Sequence, residues 1–177
     1  MDFEFKEKVS YPVDRVYQAL RDRLVELPPF LPEIDSIEQH ARENRDDGGL
    51  YVNNVWQGNA KSAPRAVRPF VSRKMLAWRD LGTWYEDPKR VEWVFETMHF
   101  DALFTCSGTN FFEAAGDDAT QIRLTGSLQV YPERLPGVPR ILARRVGPAV
   151  EKWLMNMVTP NLARLPRAIQ ALLDSDG

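Results

Sequence analysis

LAWRDLGTWYEDPKRVEWVF, residues 76–95, is the most informative stretch of this sequence. It lies within two runs, 75–85 and 90–98, that are rich in aromatic and β-branched residues, a composition typical of strands. The four residues between the runs, Glu86 to Lys89, include a proline and two acids and have the character of a turn. Two strand-like runs with so short a connection predict an antiparallel hairpin.

Two further hairpins are predicted, one on either side of this stretch. The first pairs residues 34–45 with 50–59, and the Asp-Asp-Gly-Gly sequence at 46–49 between them is a strong turn signal. The second pairs residues 102–113 with 120–131. Successive short strands with tight turns predict an antiparallel meander rather than alternating parallel strands and helices.

The N-terminal segment begins with a strand pattern and changes to a helical one. Apolar and charged residues alternate from Phe3 to Val9, which predicts a half-buried strand. Apolar residues then recur at helical spacing as far as Leu27, with Ser10 as a candidate N-cap and Pro12 near the first turn. Pro28 ends this helix, because proline lacks a backbone donor and restricts the residue before it.

The last forty residues have the pattern of a long amphipathic helix. An apolar stripe with helical spacing runs through Leu142, Val146, Val150, Trp153, Leu154, Met157, Val158, Leu162, Leu165, Ile169 and Leu172. Pro148, Pro160 and Pro166 interrupt the stripe, which predicts a kinked or segmented helix. The fold class is therefore α+β: one strand, one or two short helices, about six more antiparallel strands and a C-terminal helix.

The composition excludes several classes of protein. With 177 residues, 44% of them hydrophobic, the chain is expected to form one globular domain. A net charge of -2 is unlike that of a nucleic-acid-binding protein, and one cysteine with two histidines predicts no metal site and no cofactor. The sequence also lacks the apolar segment that a signal peptide or a membrane span requires, so a cytoplasmic setting is expected.

The order of elements predicts a cavity. A twisted antiparallel sheet of about seven strands tends to curl, and the only element long enough to cover its concave face is the C-terminal helix. One helix is roughly 10 Å wide, so it does not fill a broad curved sheet. The space left over would have apolar walls, as small-molecule sites usually do.

Three segments give the chain a resemblance to the START-like, or Bet v 1-like, superfamily of helix-grip proteins. They are FEFKEKVSYPVDRVYQAL at 3–20, the stretch at 76–95, and RLTGSLQV at 123–130 followed by the long helix. The resemblance covers nearly the whole chain and implies a single domain over 1–177, in which a curved sheet wraps around the C-terminal helix. It also implies a hydrophobic ligand, such as a lipid, polyketide or isoprenoid, in the cavity between them.

The candidate ligand-binding residues are mostly aromatic side chains that strand parity places on one face. They are Trp56, Trp78, Trp93, Phe95, His99, Phe104, Asn110, Phe112, Trp153 and Met157. His99 is either a proton-transferring group of the cavity or a strand-end residue bonded to the backbone, and Asn110 is a candidate polar contact for a ligand. Cys106 has the setting of a small buried hydrophobic residue, and Arg79 is expected to face water.

Three functions are compatible with these features. The leading one is binding or transport of a hydrophobic small molecule, since the sequence carries no catalytic motif. An alternative is a cyclase/dehydrase-type enzyme acting on a polyketide-like substrate. A third is a docking module for an anionic membrane or a partner, because residues 61–74 hold five basic side chains and no acidic one.

Overall fold

The computed structural model of the chain describes residues 1–59, 73–98, 104–131, 152 and 162–177. Seven strands make up most of this part of the chain. They are β1 (Asp2–Val9), β2 (Ile34–Asn44), β3 (Leu50–Gly58), β4 (Ala77–Glu86), β5 (Lys89–Thr97), β6 (Phe104–Ala114) and β7 (Thr120–Val130). The helical elements are α1 (Val13–Asp22), three short 3₁₀ helices at Leu24–Glu26, Pro28–Phe30 and Arg73–Leu76, and a C-terminal helix at residues 162–174.

The strands form one curved antiparallel sheet in the order β1-β7-β6-β5-β4-β3-β2. The three predicted hairpins are β2–β3, β4–β5 and β6–β7, and β1 closes the order by pairing with β7. The predicted α+β helix-grip architecture is therefore confirmed. One strand boundary differs, because residues 73–76, where the first run was expected to begin, form a 3₁₀ turn before β4.

The two ends of the sheet have different surfaces. On β2, which lies beyond β3 at one end of the order, the side chains from Glu38 to His40 and from Arg42 to Asn44 are all exposed. On β1, at the other end, Phe3 and Phe5 are partly buried while the alternating charged residues face water. The alternation on β1 agrees with the half-buried strand that its sequence predicts.

The helix α1 packs on the inner face of the sheet, but it is shorter than its apolar stripe. It ends at Asp22, and two 3₁₀ turns carry Leu24 and Leu27 into the core, where both side chains are buried. The Arg23 N–H still bonds four residues back to Ala19, but the N–H groups of Glu26 and Leu27 bond only three residues back, as in a 3₁₀ helix. The expectation of one helix as far as Leu27 is therefore wrong.

The start of α1 also differs from the prediction. Its N-cap is Pro12, whose carbonyl accepts the hydrogen bond of the Val16 N–H at 3.1 Å, and no side chain caps it. Ser10, the predicted cap, lies two residues too early for that role. Its backbone N–H instead donates to the Gln170 side chain of the C-terminal helix at 2.7 Å.

The C-terminal helix packs into the core and is bonded to the segment that precedes α1. Ile169, Leu172 and Leu173 are buried in the core. The Tyr11 hydroxyl donates to Asp174 at 2.9 Å. Helical geometry continues through Pro166 without a break, so the expected interruption at that proline is absent, whereas Pro148 and Pro160 lie outside the described residues.

Tyr17 joins α1 to strand β4, and a substitution of this residue tests the packing of α1 directly. Its hydroxyl donates to the Tyr85 carbonyl at 2.9 Å, and its ring packs edge-on against Trp84 and Phe112. We expect Tyr17→Phe to lower the free energy of unfolding by about 1 kcal/mol in urea denaturation, because the ring stays and one hydrogen bond is lost. Tyr51→Phe is the control, since the Tyr51 hydroxyl bonds to no residue that the structure describes. Equal stability of both variants would contradict the contact.

Candidate ligand cavity

A cavity lies between the inner face of the sheet and the helices that cover it. Its volume is about 70 Å³, several times the ~10–15 Å³ that one water requires. Among the described residues its walls are Leu20, Leu24, Asn54, Trp56, Trp78, Asp80, Gly82, Trp84, Val91, Trp93, Phe95, Phe104, Asn110, Leu162 and Leu165. The gap between sheet and helix that the element order predicts is therefore present.

Six of the ten candidate residues line this cavity. They are Trp56, Trp78, Trp93, Phe95, Phe104 and Asn110. Phe112 does not reach it, because its ring is buried against Tyr17 and stacked on Trp84, at the end of the sheet that α1 covers. The remaining three, His99, Trp153 and Met157, lie outside the described residues.

The aromatic side chains form a continuous wall. Trp56 and Trp78 are stacked with ring centroids 5.7 Å apart, and Trp78 lies 6.3 Å from Phe95. Phe95 in turn lies 4.6 Å from Trp93. These separations fall within the range in which aromatic pairs attract each other, so the rings support one another as a rigid apolar surface.

Two polar groups on this wall hold their tryptophan neighbours in place. The Trp93 indole N–H donates to Asn110 Oδ1 at 2.9 Å, an entirely buried contact that fixes both side chains. This bond orients the amide so that its NH₂ group remains as a donor. The Trp56 indole N–H donates to Asp80 Oδ2 at 3.2 Å.

Asp80 is the most important residue of the cavity wall that the sequence did not predict. It faces the cavity from the middle of β4, and burial raises the pKa of its carboxyl to about 7, an effect that the Trp56 N–H only partly offsets. Strand parity would have identified it, since Asp80 shares a face with Trp78 and Trp84. A carboxyl group with a pKa near neutrality inside an apolar cavity is well placed to exchange protons or to bind a charged group.

Asn54 and Gly82 adjoin Asp80 and were also missed. Asn54 stands directly opposite Asp80 on β3 and is only 5% exposed. Its amide makes no hydrogen bond to any residue in the described ranges, so both of its polar atoms are available to a molecule in the cavity. Gly82 follows two residues after Asp80 on the same face and also lines the cavity.

Other polar candidates are away from the cavity. Burial raises the pKa of the Cys106 thiol to about 12, so the group stays protonated and acts as a small core residue, as predicted. Arg79 is exposed, also as predicted.

The basic segment 61–74 can be described only at its end. Residues 61–72 lie outside the described part of the chain, and Arg73 and Lys74 are exposed. Docking through this segment therefore stays a prediction. Within the described ranges, no helix has both the length and the apolar character to cross a membrane, and acidic, histidine and cysteine side chains do not gather into a group that could bind a metal.

Comparison with solved structures identifies the fold. A protein from Thermus thermophilus is 22% identical and matches 97% of this chain and 99% of its own, with a TM-score of 0.63. An aromatase/cyclase from a Streptomyces species is 15% identical over 98% of this chain and 93% of its own, with a TM-score of 0.65. Norcoclaurine synthase from Thalictrum flavum, in complex with dopamine and hydroxybenzaldehyde, is 17% identical over 100% of this chain and 88% of its own, with a TM-score of 0.60.

No family model matches the sequence, and a search of curated proteins finds no significant match. At these low identities the structural likeness establishes the fold alone. That fold is the START-like, or Bet v 1-like, helix-grip fold, so the resemblance based on the sequence is confirmed at this level.

Proposed function

We propose that this protein binds a compact hydrophobic small molecule in the cavity between the sheet and the two helices. The observation that carries the proposal is the aromatic wall of Trp56, Trp78, Phe95 and Trp93, which lines an internal space instead of packing against another element. Apolar cavities with a few polar groups are the usual form of small-molecule sites.

The size of the cavity favours one or two rings over a long acyl chain. A cavity of about 70 Å³ accommodates a compact ligand without moving the walls. Flat rings also match the aromatic surface, because offset and edge-on contacts between rings are favourable. The similar fold of norcoclaurine synthase, in complex with dopamine and hydroxybenzaldehyde, supports single-ring molecules as the size class.

Naphthalene is a suitable neutral probe for this function. We expect calorimetric titration to detect the binding of naphthalene. Leu165→Trp should weaken this binding at least tenfold, because Leu165 is a half-buried residue of the wall and a larger side chain there would occupy the cavity. Val94→Trp is the matched control: Val94 is 44% exposed, lies outside the cavity wall, and should leave the affinity within twofold of its original value. Absence of naphthalene binding to the unmodified protein would contradict the proposal.

Acid–base catalysis on the bound molecule is a second candidate function, favoured by the position of Asp80. A carboxyl group that titrates near neutrality at the substrate is suited to be a general base or acid. This function corresponds to the cyclase/dehydrase-type enzyme considered from the sequence.

The base-promoted opening of 5-nitrobenzisoxazole tests this second function without knowledge of the natural substrate. The Asp80 carboxylate would take the ring C–H proton while the N–O bond breaks to give a cyanophenolate. We expect a rate above that of buffer that increases with pH through about 7 and is lost in Asp80→Asn. A rate that is unchanged in this variant would exclude Asp80 as the base.

A further inference from the structure

The surroundings of Asp80 follow from the register of three strands. Asp80 stands between Asn54 on β3 and Phe95 on β5. Two residues along the strands in one direction, Trp56 of β3 stands opposite Trp78 of β4. Two residues along in the other direction, Gly82 of β4 stands opposite Trp93 of β5. Because directly opposite side chains are about 5 Å apart and diagonal ones about 7–8 Å, four aromatic residues occupy positions that neighbour this carboxyl group on the inner face.

This carboxyl group has no counter-charge among the described residues. β3 presents Asn54 and Trp56 to it, β5 presents Phe95 and Trp93, and β4 presents Trp78 and Gly82. Among the helical residues that the structure describes, only the leucines at positions 20, 24, 162 and 165 line the cavity. Asp80 forms no ion pair within these ranges, and its single hydrogen bond comes from the uncharged Trp56 indole.

We infer that the cavity is selective for an organic cation, such as a compact aromatic amine or quaternary ammonium compound, whose positive group lies beside Asp80 and contacts the aromatic wall. The inference rests on the proposed function and specifies its ligand class. Ring faces attract cations electrostatically, and the attraction is strongest for tryptophan and for sites removed from water. A carboxylate among such rings adds the full charge that completes the site.

The alternatives to a cation fit the site less well. An anion would meet the carboxylate without a basic group among the described residues to offset it. A neutral ligand would displace water from Asp80 while leaving an ionised carboxylate uncompensated, so Asp80 would have to take up a proton. A cation reverses that balance: it favours the ionised carboxylate, and its binding should release a proton wherever Asp80 is protonated in the free protein.

Benzyltrimethylammonium and its neutral carbon isostere, neopentylbenzene, are the matched probes, since neither changes its own charge with pH. We expect the affinity for the cation to fall at least tenfold between pH 8 and pH 5, because Asp80 becomes protonated across that interval. The affinity for the neutral isostere should not fall over the same interval and should be at least as high at pH 5 as at pH 8, because this ligand favours the protonated carboxyl. Asp80→Asn should weaken binding of the cation at pH 8 at least tenfold and abolish its pH dependence, whereas Asp35→Asn, a change at an exposed position of β2, should alter neither.

The two proposals fail in distinguishable ways. If neopentylbenzene binds but the affinity for benzyltrimethylammonium is the same at pH 5 and pH 8, the selectivity for cations is wrong and the hydrophobic site remains. If neither probe binds at any pH and naphthalene does not bind either, the proposed function is wrong, and so is the inferred selectivity for cations. Because the pH series uses the unmodified protein, the result does not depend on the folding of a variant.

Discussion

Asp80→Asn is expected to make the protein more stable at pH 8, and by a much larger margin than at pH 5. The carboxyl group has an ordinary pKa of 3.8 and a pKa of about 7 in the folded protein. Between these values the folded state holds a proton that the unfolded state has released, so stability falls as the pH rises from about 4 and the loss is complete above about 7. The asparagine variant has no charge to bury and escapes this loss.

The expected size of the effect follows from the same values. From pH 5 to pH 8 the difference in unfolding free energy between the variant and the unmodified protein should grow by roughly 2–3 kcal/mol, because each unit of pKa shift corresponds to about 1.4 kcal/mol. Urea denaturation at pH 5, 6, 7 and 8 measures it. Asp35→Asn serves as the control, and its unfolding free energy should change with pH in the same way as that of the unmodified protein. Parallel curves for Asp80→Asn as well would mean that folding does not raise the pKa of Asp80.

Gly108→Ala is the second substitution with a large expected effect. A Cβ atom at Gly108 would lie 2.2 Å from the Thr125 carbonyl oxygen and 2.4 Å from Cζ2 of Trp93. The first contact is with backbone in the neighbouring strand β7, so relief requires β6 and β7 to separate. We expect the unfolding free energy to fall by about 3 kcal/mol, at the upper end of the usual cost of overpacking. Thermal and urea denaturation would measure this loss.

Gly82→Ala is the matched control for that experiment, because Gly82 and Gly108 face Trp93 from its two neighbouring strands. A Cβ atom at Gly82 would lie 3.2 Å from Trp84 Nε1 and 3.2 Å from Val91 Cγ2, both side-chain atoms. Small shifts of these side chains would relieve the contact, so we expect a loss below about 1 kcal/mol. If both variants lost stability equally, the tight packing of Trp93 over β6 would not explain the result at Gly108.

The strands could be predicted from the sequence because their signals are local. Alternation with period two and the turn residues near Gly48 and Gly116 are set within a few neighbouring residues, and the observed strand bounds follow them closely. The end of α1 could not be predicted in the same way. The apolar stripe as far as Leu27 is compatible with an α-helix or with 3₁₀ turns, because both bring residues three or four apart onto one face.

The site was predictable in part for a similar reason. Parity alone places Trp78 and Trp93 on the inner face, but it does not say which inward residues meet the cavity and which meet a helix. Phe112 has the right parity and packs against Tyr17, because α1 crosses that end of the sheet. The importance of Asp80 depends on the register that surrounds it with rings from three strands, and no short stretch of sequence contains that register.

The outer border of the sheet at β2 has a consequence for the behaviour of the protein at high concentration. The exposed edge of a sheet offers unpaired N–H and C=O groups, and a strand of another molecule could pair with them and start aggregation. Here the largely exposed run from Glu38 to Asn44 includes two glutamates and an arginine, together with His40. A strand added to this edge would remove water from these polar groups, so the edge disfavours fibril growth. The hydrophobic surface of the protein is directed inward.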